Sequence, residues 1–341
     1  MPDHLAAATA AVDCATELVD TATEALAHAS SDGGRLSVAK LDERQVLAYD
    51  LAHAASAVEG CAVMLDYGAH GEQESMLARA YVADAIWDLG TKVLGREAMW
   101  GVDPSKLAPA LPFVEAHRSP EFLCALADTL PAAGTGPNHL PDDFALAADT
   151  FQRFAADKIR PHAEEVHRTN ADVPEEVIRG LAELGGFGLS VPVEFDGMAT
   201  GGEADYLGMV VATEALSWGS LGIGGSLITR PEILTRALVA GGTDAQKARW
   251  LPRIASGELI VGVMVTEPDY GSDVAGLATT ATAVDRGYVI NGVKTWATFA
   301  GRADLLMLLA RTDPDRSQTH RGLSLFVVEK EPSAGHAFAH E

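Results

Sequence analysis

The sequence predicts an α+β protein, with its helices first and its strands afterwards, and three observations predict it. An apolar heptad runs through the first thirty residues. Helical periodicities then recur as far as residue 258, and at Leu259 the pattern switches to short β-branched runs. Helices followed by strands, rather than strands and helices in alternation, is the signature of segregated layers.

In the first segment Leu5, Val12, Val19 and Leu26 recur every seven residues, and Ala8, Ala15, Ala22 and Ala29 stand three positions later. A large residue paired with alanine at this spacing gives a narrow stripe that lets helices approach closely. Ser30–Gly34 breaks that helix. A second is expected from about Asp42 to Tyr67 and a third from about Glu72 to Leu94, with a glycine-containing turn between them. Residues 1–128 therefore read as a helical extension, an antiparallel bundle whose simplest role is packing or oligomerisation. Residues 129–141 have the proline- and glycine-rich composition of a linker.

Helical pattern resumes over 142–258. Phe144, Ala147, Ala148, Phe151 and Phe154 share one face, with an aspartate expected as the cap. Pro174 suits the first turn of the next helix, Glu175 and Glu176 complement its dipole, and Gly185-Gly186 ends it. The amphipathic stretch Gly242–Glu258 is expected to stop at or soon after Pro252. Over 259–341 the runs LIVGVMVTE, LATTATAV, YVINGVKTWATFA, ADLLMLLAR and LSLFVVEK predict a mainly antiparallel sheet of at least five strands.

Composition narrows the function. The chain of 341 residues is 48% hydrophobic, with no apolar run long enough for a membrane span. Its formal charge of −23, from 48 acids against 25 bases, disfavours nucleic acid and anionic membrane surfaces as partners. Three widely spaced cysteines and no signal-peptide pattern fit a reducing, cytoplasmic setting. No metal-ligand spacing occurs among the eleven histidines. The glycines of WGSLGIGGS lack dinucleotide-loop spacing, so close helix packing or a tight turn is the expected role of Gly222, Gly224 and Gly225, and NGVKT lacks the upstream glycine of a P-loop.

The stretch VTEPDYGSD (Val265–Asp273) is different. It lies where a strand ends and combines a hydroxyl at Thr266, a stiff Pro268, a Gly271 that admits close approach, and a second hydroxyl at Ser272. Such a loop can hold a polar heteroaromatic ring and a phosphate. The same composition also builds a plain β-turn with Asp273 as its cap.

VTEPDYGSDVAG, followed by YVINGVKTWATFAGRADLLMLLARTDP, resembles the middle domain of the acyl-CoA dehydrogenase family. Upstream, GTDAQKARWLPRIASGE and VIRGLAELGGFGLSVPVEFDG resemble the segments that precede it there, so the likeness covers about Asp142 to Lys330. The resemblance implies an all-α domain over 142–258, a flavin-binding β domain over 259–341, and FAD as cofactor. Val263, Met264, Val265, Thr266, Gly271 and Ser272 would line the flavin, with Thr266 bonded to the ring and Ser272 also touching an acyl-CoA substrate. Trp296 would cover one ring face, Ala297 stands where the family usually has isoleucine, and Thr298 would sit beside N5. These residue types suit a flavin, because an indole is a flat apolar wall and hydroxyls tune the ring. Trp296 could equally be an ordinary aromatic on a sheet face.

Two departures stand out. Asp269-Tyr270 replaces small residues. In addition, the family's catalytic glutamate belongs to a C-terminal helical domain with no counterpart here, so the sheet looks truncated and no catalytic residue is assignable. Glu267, Glu329 and Glu341 match no base motif. The N-terminal helices also resemble that C-terminal domain. The leading expectation is α,β-dehydrogenation of an acyl-CoA in fatty acid metabolism. An electron-transfer flavoprotein or similar acceptor would be the partner, in a homo- or hetero-oligomer. A non-catalytic scaffold or regulatory subunit, or a related flavin oxidase or monooxygenase, are the alternatives.

Overall fold

The structure, a computed structural model, describes residues 3–130 and 136–331. Five residues of the expected linker, 131–135, and the end of the expected β domain, including Glu341, lie outside the described residues. The chain divides into two compact units, Met1–His139 and Leu140–Glu341.

The first unit is helical. Its elements are α1 (Asp3–Ala29), a small hairpin of β1 (Ser31–Asp32) and β2 (Arg35–Leu36), α2 (Val38–Asp42), α3 (Gln45–Gly68), α4 (Glu72–Val93), α5 (Glu97–Trp100), α6 (Leu111–His117) and α7 (Pro120–Thr129). The heptad is the buried face of α1: Leu5, Ala8, Val12, Ala15, Val19 and Ala22 are buried, and Ala11 and Leu18 widen the stripe. Ala29 is exposed, because α1 ends there and the hairpin turns away through Gly33 and Gly34, both at positive φ. The stripe packs on Leu47, Leu51 and Val58 of α3, Val82, Ile86 and Leu89 of α4, and the fully buried Trp100. Small residues set the spacing: a Cβ on Gly68 would lie 2.9 Å from the Ala78 side chain and 3.2 Å from Leu5. The residues before Leu140 are moored to this unit, with Tyr67 donating to the Pro137 carbonyl at 2.8 Å and His139 bonded to Glu74 at 2.7 Å.

The second unit opens with α8 (Asp142–Phe154), α9 (Ala163–Thr169), α10 (Glu175–Glu183), α11 (Glu203–Gly219), α12 (Ser226–Gly241) and α13 (Asp244–Ala255). The start of α8 has no side-chain cap: Pro141 occupies the cap position, and Asp142 and Asp143 sit in the first turn, where they favour the helix dipole instead. Helix α13 runs three residues past Pro252, and a reciprocal Thr243–Gln246 capping box starts it. Phe151, Ile159, Leu181, Leu216, Ile223 and Leu227 form one core cluster. In the WGSLGIGGS stretch, Gly224 permits contact that no other residue could: a Cβ there would lie 2.4 Å from the Leu216 carbonyl oxygen.

Five strands follow: β3 (Val261–Met264), β4 (Thr280–Val284), β5 (Gly287–Asn291), β6 (Leu305–Arg311) and β7 (Leu323–Glu329). The sheet is mixed. Antiparallel ladders join β6 to β7 over seven residue pairs and β4 to β5 over five, while β6 runs parallel to β3 over four pairs and meets β4 at one. Strand β3 and the β4–β5 hairpin thus lie along one edge of β6, with β7 on the other. Val261 and Leu305 pack with Trp250, Leu251 and Ile254 of α13 in a second cluster, which seats the sheet on the helices of its own unit.

Candidate functional site

Parallel pairing of β3 and β6 creates the site. Because β6 starts beside the start of β3, the segment from β5 to β6 must return along the length of β3 before pairing can begin. It does so over residues 292–304. Thr295 donates its N–H to the Thr266 carbonyl at 2.9 Å; the Thr298 carbonyl stands 3.5 Å from where a Cβ on Gly262 would be; and Asp304 donates to the Ile260 carbonyl at 2.8 Å and accepts the Ile260 N–H at 2.8 Å. The loop that carries Trp296–Thr298 and the turn that carries Thr266–Ser272 are therefore neighbours.

This return segment was expected as strand, and it is a loop. The ladder stops at Asn291 because Gly292 has φ 156°, and a Cβ there would meet Thr279 Oγ1 at 2.2 Å. Two non-glycine residues then take left-handed backbone, Trp296 at φ 57° and Phe299 at φ 66°. Such conformations cost on the order of 1 kcal/mol each and cannot propagate a strand. Trp296 is consequently no sheet-face aromatic: it is 88% exposed, a large apolar ring held out on a strained backbone. Ala297 and Thr298, next along the chain, are half-buried.

On the other arm, period-two alternation divides the predicted residues. Val263 and Val265 pack against the Trp250–Leu305 cluster, so their side chains support the fold and only their backbone edges are offered to the loop. Met264 and Thr266 are half-buried. Glu267 and Tyr270 exchange backbone hydrogen bonds at 3.0 and 3.2 Å, closing a tight turn with Pro268 and Asp269 at its tip. Gly271 and Ser272 are exposed, and apart from its chain neighbours nothing would lie within 4 Å of a Cβ on Gly271. The fold does not need glycine there, whereas open space of this kind suits a closely approaching ligand. Asp273 caps the short helical turn that follows by accepting the Gly276 N–H at 3.1 Å.

Two residues that the sequence pattern did not single out anchor the return loop, one to the other arm and one to a helix. Lys294, with its side chain 3% exposed, donates to the Val265 carbonyl and to Glu267 Oε1, both at 2.9 Å. Glu267 also accepts the N–H groups of Ala278 at 2.6 Å and Thr279 at 2.9 Å. Burial alone would raise the Glu267 pKa, but the bonds from Thr279, Lys294 and Ala278 overcome it and hold the carboxyl at about 2. The second residue is Arg230 of α12, whose Nη2 donates to the Thr298 hydroxyl at 3.3 Å. Farther along, Arg302 pairs with Glu175 of α10 and pulls that carboxyl below its ordinary range. Glu329 accepts from Arg249 at 2.7 Å and from the Trp250 indole at 3.0 Å, a structural clamp at the end of β7. A separate cavity of about 480 Å³, lined by Leu189, Pro192, Tyr206, Met209 and Arg236, includes none of the predicted site residues.

Among the described residues no cluster of histidine, cysteine and carboxylate groups could hold a metal ion, and no helix is long and apolar enough to cross a membrane.

Residues 141–258 match the acyl-CoA dehydrogenase N-terminal domain, and residues 262–339 match the acyl-CoA dehydrogenase middle domain. A (2S)-methylsuccinyl-CoA dehydrogenase from Cereibacter sphaeroides is 33% identical over 348 residues, an alignment that covers 97% of this chain and 62% of that protein. A mitochondrial isovaleryl-CoA dehydrogenase from Arabidopsis thaliana is 34% identical over 53% of this chain and 43% of its own length. The chain thus spans less than two thirds of the length of these curated relatives. In structure it is similar to an acyl-CoA dehydrogenase from Geobacillus kaustophilus, with a TM-score of 0.51 at 31% identity, over 57% of this chain and 50% of that one. Two domain matches in series, the second covering the residues that build the paired arms, identify this chain as a member of the acyl-CoA dehydrogenase family.

Proposed function

We propose that this chain provides the flavin- and thioester-binding part of an FAD-dependent acyl-CoA dehydrogenase. The observation that supports the reading is the Thr295–Thr266 backbone bond, which joins the loop bearing the exposed Trp296 to the segment that leads into the open Gly271–Ser272 turn. The residues fit the group. Trp296 offers a flat wall with nothing of the protein covering it, Met264 and Thr266 would border the β3 side, and the Thr298 hydroxyl would border the reacting edge of the ring. Backbone edges at Val263, Val265 and Ala297 complete the lining, and Ser272 is free to meet both flavin and thioester. Bound FAD would supply a two-electron acceptor for hydride from the substrate β-carbon.

Removal of the α-proton needs a carboxylate of ordinary or raised pKa. Glu267 is a poor candidate, since its ion pair and backbone bonds keep it ionised down to about pH 2. Glu329 is engaged with Arg249 and Trp250. The part played by these residues is therefore binding and positioning, and the base comes from a group other than these two. A short branched acyl-CoA is the first substrate to try, because the methylsuccinyl-CoA enzyme aligns along 97% of this chain, its N-terminal helices included. Electrons would pass to an electron-transfer flavoprotein or similar acceptor, within a homo- or hetero-oligomer.

The test is titration of the purified chain with FAD, read by the visible flavin bands and by melting temperature. A perturbed spectrum and a concentration-dependent rise are expected. Neither would occur in a scaffold that kept only the loop shape. Anaerobic bleaching of the full-length protein by acyl-CoA would then report dehydrogenation, and rapid peroxide release in air would mark an oxidase instead.

A further inference from the structure

In a chain with 48 acids and 25 bases, an inward-leaning arginine finds an acidic partner easily, and most here have done so. Arg96 pairs with Asp50, Arg236 with Glu232 and Arg302 with Glu175. Arg311, buried without an acid, spends its donors on the carbonyls of Thr319 and Ala275 instead. Arg230 does neither. It is half-buried, no carboxylate among the described residues lies within ion-pair distance, and its side-chain bond runs to a neutral hydroxyl, Thr298 Oγ1 at 3.3 Å.

A guanidinium carries five donors and a charge that cannot be shed, so a half-buried one bonded to a single protein hydroxyl keeps donors with which an anion can replace water. The cost of desolvating such a group is offset when an anion arrives, and a fork of N–H groups matches a carboxylate in two parallel bonds. The position is imposed by the fold. Leu227, Ile228, Pro231 and Leu234 of α12 are buried, which fixes the helix and holds Arg230 against the return loop beside Thr298.

We infer that Arg230 is a specificity-determining subsite for a carboxylate on the acyl group, so that the preferred thioester is a short dicarboxylic one. The inference rests on the proposed function, in which Thr298 borders the reacting edge of the flavin. Contact with Thr298 then limits the reach: the carboxylate must stand about one or two carbons beyond the β-carbon to be met by the Arg230 fork. Longer neutral acyl chains would have to pass an uncompensated cation.

The experiment compares two four-carbon thioesters that differ in the terminal carboxylate, succinyl-CoA and butyryl-CoA. Each binds anaerobically to the FAD-loaded full-length protein and is followed by calorimetry and by the flavin spectral shift. The parent protein should bind succinyl-CoA at least about 10-fold more tightly. Arg230→Met should weaken succinyl-CoA by roughly 10- to 100-fold, the loss expected of a charge-assisted bond. Butyryl-CoA should stay within about 2-fold, and Arg230→Lys should recover part of the difference. Equal affinity of the parent for both thioesters would overturn the inference while leaving the proposed function intact. So would an Arg230→Met variant that loses FAD affinity and weakens both thioesters alike, since Arg230 would then hold the flavin. Failure of the parent to bind FAD at all would overturn both readings. The parent's preference and the lysine variant keep the test decisive if the methionine variant does not fold.

Discussion

Replacing Lys294 by methionine removes the positive partner of a carboxylate that stays buried. Glu267 is 5% exposed, and its pKa falls from an ordinary 4.5 to about 2 in the folded protein. That lowering corresponds to about 3 kcal/mol in favour of the ionised form. Loss of one partner from a buried pair costs on the order of 3–5 kcal/mol, because the other charge is left uncompensated. The amides of Ala278 and Thr279 still bond the carboxylate, so about 3 kcal/mol is expected at pH 7. Folding holds this carboxyl below its unfolded value, so the contribution is whole above about pH 4.5 and fades as the pH falls toward about 2. The measurement is urea unfolding of parent and Lys294→Met at pH 7 and at pH 3.5, followed by circular dichroism and tryptophan fluorescence. The variant should unfold at markedly lower urea at pH 7, and the gap should narrow in acid. Adding Glu267→Gln should recover part of the loss, since the buried charge is then gone. Equal midpoints at pH 7, or a double variant whose loss relative to the parent equals the two single losses added, would refute the reasoning.

Other perturbations separate structure from ligand. Trp296→Ala should change stability by less than about 0.5 kcal/mol, as the ring is 88% exposed, yet weaken FAD clearly in a fluorescence titration. Thr298→Val and Ser272→Ala should weaken flavin or acyl-CoA binding, and unchanged titrations for both would remove those residues from the site. Gly224→Ala places a methyl 2.4 Å from the Leu216 carbonyl and should cost about 1–3 kcal/mol in denaturant unfolding. Burial lifts the Cys61 thiol to about 11, whereas Cys124 is exposed, so a thiol reagent at pH 8 should label Cys124 promptly and Cys61 after unfolding.

What could be read from sequence followed local periodicity. The heptad from Leu5 to Ala22 is a buried face because spacing along one helix is a local property, and the order of helices then strands is local too. The Glu-Pro turn was legible from its residue types, and the bonds exchanged by Glu267 and Tyr270 close it. Pairing was not legible. Val261 lies opposite Leu305 in a parallel ladder whose partners are 44 residues apart, and no periodicity encodes that. The return loop misled for a related reason. The run YVINGVKTWATFA has β-forming composition throughout, yet tertiary constraint puts Trp296 and Phe299 at positive φ. Lys294 and Arg230 were missed because their meaning depends on partners 27 and 68 residues away. A lysine inside an otherwise apolar stretch after a glycine was the one available hint.

The amide that joins Thr295 to Thr266 belongs to the main chain, and this has a bearing on how such a protein diversifies. That contact does not involve the side chains of Trp296, Thr298 or Ser272, and the Lys294 bonds beside it do not involve them either. In the proposed site, exchanges at Thr298 or Ser272 would alter what is recognised and leave that main-chain contact in place. Drift in substrate choice can therefore proceed by single replacements on a gauge that stays constant, and lineages that favour different acyl groups should retain the same distance across it.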